Sequence, residues 1–137
     1  MAEPPARQLG ALTFMATNPR LLARFYVKLL RWTYIREEEP AAGEPPTAGY
    51  AIICPPEDTV EPALNFDYDP ARRRPAWPGV PGEQTSTMHL DIAVADLETA
   101  VAHAVACGAS KAQTQPNPTD HVVMIDPEGN PFCLCRS

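Results

Sequence analysis

Three side chains in this 137-residue chain are of types that could do chemistry, in two pairs that share His89. His89 and Asp91 stand two apart in Met88-His-Leu-Asp-Ile92. In an extended segment, residues two apart share a face, so the carboxylate can orient the imidazole and raise its basicity. An imidazole titrates near neutral pH, which suits a general base or a metal ligand. It equally suits a hydrogen bond to a neighbouring strand, and Asp91 could instead cap a loop or pair with a surface arginine. The third side chain is Cys133, in the apolar run Phe132-Cys-Leu-Cys135. Beside His89 its thiolate could be a nucleophile; without a group that lowers its pKa it is a small apolar wall residue.

Other chemistries find no support. Cys54, Cys107, Cys133 and Cys135 form no Cys-x-x-Cys pair, so zinc-site spacing is absent. There is no Gly-x-Gly-x-x-Gly, Walker A loop, Gly-x-Ser-x-Gly or His-Glu-x-x-His. A formal charge of −6 argues against nucleic acid as a partner. No run reaches the roughly 18 apolar residues that span a membrane. The opening Met-Ala-Glu-Pro-Pro-Ala-Arg has no apolar core of a signal peptide. A cytoplasmic protein with reduced thiols is therefore expected.

The length suits one domain with a real core. Leu9–Ala16 alternates as a strand, with Leu12, Phe14 and Ala16 on one face and Ala11, Thr13 and Met15 on the other. Asn18-Pro19 then reads as cap and first residue of a helix, whose apolar stripe is Leu22, Phe25, Leu29 and Trp32. Strands are predicted at 33–37, 49–54 and 63–68, separated by Pro-rich turns. The same order returns after residue 86. A strand over 87–94 leads to Asp96, the cap of a helix with Leu97, Val101 and Val105 facing inward and Gly108 just past its end. Strands are predicted at 111–114, 121–125 and 132–135. Asp126-Pro-Glu-Gly-Asn130 supplies the last turn, with Gly129 or Asn130 able to take φ > 0. The chain thus reads as two copies of strand–helix–three strands.

This repeat resembles the vicinal oxygen chelate superfamily, the group of glyoxalase I, extradiol dioxygenases, fosfomycin-resistance and bleomycin-binding proteins, and most closely its small glyoxalase-like domains. The residues that carry the likeness are Asn18-Pro19 with Phe25-Tyr26, Trp77-Pro78, Met88-His-Leu-Asp-Ile92, Val94-Ala-Asp-Leu97, Gly108-Ala109 and Asp126-Pro-Glu-Gly-Asn-Pro-Phe-Cys-Leu134. The resemblance implies an α+β fold of two βαβββ modules, about 9–68 and 86–135, joined by a connection over 69–85. The modules would form an open half-barrel sheet with helices outside, a ligand cleft inside, and a homodimer as the assembly. Metal-binding members place ligands on the first and last strands of each module. Carried over, the first-module histidine falls at Ala11, which cannot ligate. The second-module histidine is His89, the last-strand carboxylate becomes Cys133, and a fourth-strand ligand would come from the Asn65/Asp67 face. A divalent metal, if held, would use His89, Asp67 and Cys133.

Within such a cleft the alternation points Thr13, Met15, Asn65 and Asp67 inward. Trp77, stiffened by Pro75, Pro78 and Pro81, could close as a lid or simply cover the core edge. Arg72-Arg73-Arg74 could draw in an anionic ligand, stay solvated, or pair with acids of a neighbouring chain. The expected function is binding of a small organic molecule in an apolar cleft, with Thr13, Met15, Asn65, Asp67, Trp77 and Cys133 as contacts and no catalytic metal. The alternative is an enzyme: a metal-free isomerase, cyclase or dehydratase in which His89 and Asp91 move a proton, or a metal-dependent lyase or dioxygenase.

Overall fold

The computed structural model describes residues 7–137, which form eight strands and two helices. In chain order these are β1 (Ala11–Ala16), α1 (Pro19–Leu29), β2 (Tyr34–Glu38), β3 (Tyr50–Cys54), β4 (Ala63–Tyr68), β5 (Leu90–Val94), α2 (Leu97–Cys107), β6 (Ser110–Lys111), β7 (His121–Ile125) and β8 (Pro131–Arg136). Two four-stranded mixed sheets result, ordered β1-β4-β3-β2 and β5-β8-β7-β6. The second order repeats the first strand for strand. Each module has one parallel pair, β1 with β4 and β5 with β8; its other pairs are antiparallel. The sheets are open and do not close into a barrel. No helix among the described residues is long and apolar enough to cross a membrane.

Local chemistry explains the elements. Asn18 accepts a hydrogen bond from the Leu21 amide and Asp96 one from the Thr99 amide, so both helices start on a side-chain cap. Gly108 ends α2 at φ 120°, a conformation that costs other residues more. Helix α1 lays Leu22, Phe25, Tyr26 and Leu29 on the sheets. Tyr26 and Phe132 rings meet at 6.1 Å and Phe14 stacks on Phe66 at 5.2 Å, so one aromatic core runs through both modules.

Several elements differ from the sequence reading. Helix α1 stops at Leu29 because Arg31 takes φ 56° and the Trp32 amide turns back to the Val27 carbonyl; Trp32 still packs on the core. Val105 is 51% exposed, not inward; the packed face is Leu97, Ala100, Val101 and Ala104. Strand β6 is two residues, not four. Beyond Lys111 the Ala112 amide still bonds the Val123 carbonyl, but the Gln115 side chain shares that carbonyl and takes the Val123 amide, so the ladder goes no further. Strands β1 and β5 begin at Ala11 and Leu90, not at 9 and 87, so His89 sits just before its strand.

Candidate functional site

Strands β1 and β5 are the inner edges of the two sheets, and they do not pair with each other. The seam between them opens into a slot of about 630 Å³. Ala11, Thr13 and Met15 of β1 form one wall. Residues 84–90 form the other, including Thr85, Ser86, Thr87 and His89. Phe14, Tyr26 and Leu90 give it apolar surface, and Asp69, Arg72 and Arg73 of the connection close one end. The wall over 84–87 is held by a bridge between Ala76 and Thr85, with the Ala76 amide bonded to the Gln84 carbonyl at 2.9 Å.

A buried polar network fastens the connection to the rest. Asp126 accepts from the Tyr26 hydroxyl at 2.7 Å, from the amides of Glu128 and Asn130, and from the Asn130 side chain. Glu128 accepts from the amide and hydroxyl of Thr17 at the end of β1. Arg72 donates to the Glu128 carbonyl and carboxylate and to Asn130, and Arg74 donates to the Pro127 carbonyl. These two arginines therefore pair within their own chain. Gly129, at φ 88°, lies under Arg74; a Cβ there would come within 2.5 Å of the Arg74 side chain. Burial raises the Asp126 carboxyl above its ordinary value, against the pull of its hydrogen-bond donors.

On the second sheet, His89, Asp91 and Cys133 come together, with one ligand atom from each lying within 4.8 Å of the others. His89 Nε2 is 3.1 Å from Asp91 Oδ1. Asp91 pairs in register with Cys133 on β8. His89 and Asp91 are exposed, whereas Cys133 is buried. Burial, then the charge of Asp91, pushes the Cys133 thiol up to about 11. The same causes raise Cys135.

A profile of the glyoxalase-like domain matches residues 11–135. The chain belongs to that family. No curated protein matches it in sequence. Among solved structures, a glyoxalase family protein from Enterococcus faecalis aligns at TM-score 0.63 and 17% identity, covering 94% of this chain and 97% of its own. TnmS3, an antibiotic binding protein from Streptomyces sp. CB03234, aligns at 0.59 and 12%, covering 98% of each chain. The fosfomycin resistance protein FosX from Mesorhizobium loti aligns at 0.59 and 12%, covering 95% of this chain and 91% of its own. Identities this low establish the shared fold.

In this glyoxalase-like domain the expected site residues divide into two groups. Thr13, Met15 and His89 line the slot. Asn65 and Asp67 lie on β4, in register with Thr13 and Met15, but outside the slot lining. Trp77 packs against the cluster of Ala112, Val123 and Cys133, so it covers the second sheet. The metal-capable trio contains Asp91; Asp67 stands on the other sheet and is not part of it. A thiol, an imidazole and a carboxylate fit a soft divalent ion such as zinc better than a hard one. All three donors come from one module, and Ala11 offers none from the other. Sequence reasoning named the 72–74 arginine run, of which Arg72 and Arg73 line the slot, but missed Thr85, Ser86 and Thr87 as slot residues and Tyr26–Asp126 as a buried pair. The hydroxyl run 85–87 beside His89 was a visible signal for the first; nothing local announced the second.

Proposed function

We propose that this glyoxalase-like domain binds a small, largely apolar organic molecule in the slot between its two sheets, without a catalytic metal. The supporting observation is the slot itself, with Thr13, Met15 and His89 on opposite walls. Its volume lies within the usual span of ligand pockets, about 300–1,000 Å³. The Cys133 thiol, pushed up to about 11, suits a wall residue better than a nucleophile. A structural neighbour described as an antibiotic binding protein fits the same class. Asn65, Asp67, Trp77 and Cys133 then serve as outer contacts for a larger ligand. We also propose a homodimer in a reducing, cytoplasmic setting, consistent with four free thiols.

The test is recovery of the ligand. Compounds that co-purify with the protein are incubated with it and analysed by mass spectrometry. Unaltered recovery is the expected result; a product formed by the wild type and lost in His89→Ala would establish the enzyme reading. In that reading Asp91 holds the imidazole and His89 moves a proton on a substrate in the slot.

One observation favours a second reading, a metal held by His89, Asp91 and Cys133. A bound zinc ion would supply Lewis acidity. Elemental analysis of untagged protein decides between the two. Well under one equivalent is expected, and one tight equivalent removed by Cys133→Ser would replace the metal-free account.

A further inference from the structure

Arg73 is the odd member of its run. Arg72 is committed to Glu128 and Asn130, and Arg74 to the Pro127 carbonyl. Arg73, between them, makes no side-chain hydrogen bond or ion pair with any described residue, yet it lines the slot. Its neighbours on the chain are pinned, so its backbone position is fixed by two anchors while its guanidinium stays available. The protein as a whole carries a formal charge of −6, and acidic residues outnumber basic ones 17 to 11. Among the described residues the only carboxylate lining the slot is Asp69, and one of its oxygens accepts the Ala71 amide in the turn that carries Arg72. The two walls add hydroxyls, Thr13 from β1 and Thr85 and Thr87 from residues 84–90, which can donate to an anion.

We propose that the ligand of this slot carries one acidic group, a carboxylate or a like oxyanion, on an apolar body, and that Arg73 receives that group. This rests on the slot being the binding site. A guanidinium presents a planar fork of donors that matches such oxyanions two bonds at a time. The apolar body lies over Phe14, Leu90 and the Met15 side chain, and the acidic end points to the end of the slot that the connection closes. The three consecutive arginines thus divide their work: two hold the loop and one faces the ligand.

A matched pair of dyes tests this. 8-Anilino-1-naphthalenesulfonate and N-phenyl-1-naphthylamine share one apolar skeleton, and only the first bears an anionic group. In fluorescence titrations the sulfonate is expected to bind about tenfold tighter, the low end of a charge-assisted pair. Arg73→Ala should abolish that preference by weakening the sulfonate alone. Arg36→Ala, which removes the same charge from β2, should leave it intact. Thr13→Trp, which fills the slot, should abolish binding of both dyes. If Arg73→Ala leaves the preference unchanged while Thr13→Trp removes both dyes, the slot is the site and the acidic-ligand assignment is overturned. If neither dye binds, or Thr13→Trp alters nothing, the slot reading falls and the assignment with it.

Discussion

At the scale of single residues, Cys133 separates the possible chemistries. Its position on β8 puts it beside Asp91, and a carboxylate next to a thiol opposes ionisation. His89 touches Asp91, and after burial it is the charge of Asp91 that most raises the thiol. Alkylation by iodoacetamide should therefore be slow at Cys133 around neutral pH and accelerate only as pH approaches about 11. Mass spectrometry of labelled peptides checks this; rapid labelling of Cys133 near pH 7 would restore it as a nucleophile. The His89–Asp91–Cys133 grouping was half legible in the chain. Two residues apart in an extended segment is local information, so His89 and Asp91 could be paired from spacing. That Asp91, not Asp67, completes the trio depends on β5 lying beside β8 and on the first sheet lying elsewhere. No spacing rule encodes that.

At the scale of elements, the last turn and the connection form one mechanical unit. The side chains of Arg72 and Glu128 are only 12% and 9% exposed, so their ion pair is largely shielded from water. Arg72→Ala would leave Glu128 buried with only Thr17 to serve it. A loss of about 3 kcal/mol in urea unfolding is expected, together with faster proteolysis within residues 69–85. Glu128→Gln, which keeps an acceptor for Thr17, should cost less. The Tyr26–Asp126 bond predicts a pH effect. Burial, followed by the charge of Asp126 and its hydrogen bond, holds the phenol well above its ordinary value. An unfolded tyrosine titrates near 10, so above that pH the folded state binds more protons than the unfolded one and stability falls as pH rises. Tyr26→Phe should cost about 1 kcal/mol at neutral pH. The gap to the wild type should then shrink as pH climbs past about 10. Caps and turns were readable here because each is built by neighbours in sequence: Asn18, Asp96, Gly108 and Gly129 all act as expected. On α2, Leu97 and Val101 were read as inward correctly and Val105 was not, because Ala104 and Val105 are both apolar and the choice between them falls to the packing against β7 and β8.

At the scale of the whole molecule, the repeat yields two sheets of identical order, and the slot lies where they do not join. The repeat could be seen in the sequence, since both modules carry the same punctuation: strand, capped helix, then three strands. The slot could not, because it exists only as two unpaired strand edges, β1 and β5, held apart over a shared aromatic core. Thr13 and Met15 were reachable from alternation and Arg73 from its arginine run; the 85–87 hydroxyls lie between β4 and β5, outside the regular strands. The most direct test of the central claim is amide chemical-shift mapping by NMR on chelator-treated protein titrated with N-phenyl-1-naphthylamine. Saturable shifts confined to β1 and residues 84–90 are the expected result. Shifts centred on β2 and β3, or no saturation at all, would contradict a ligand site at the seam.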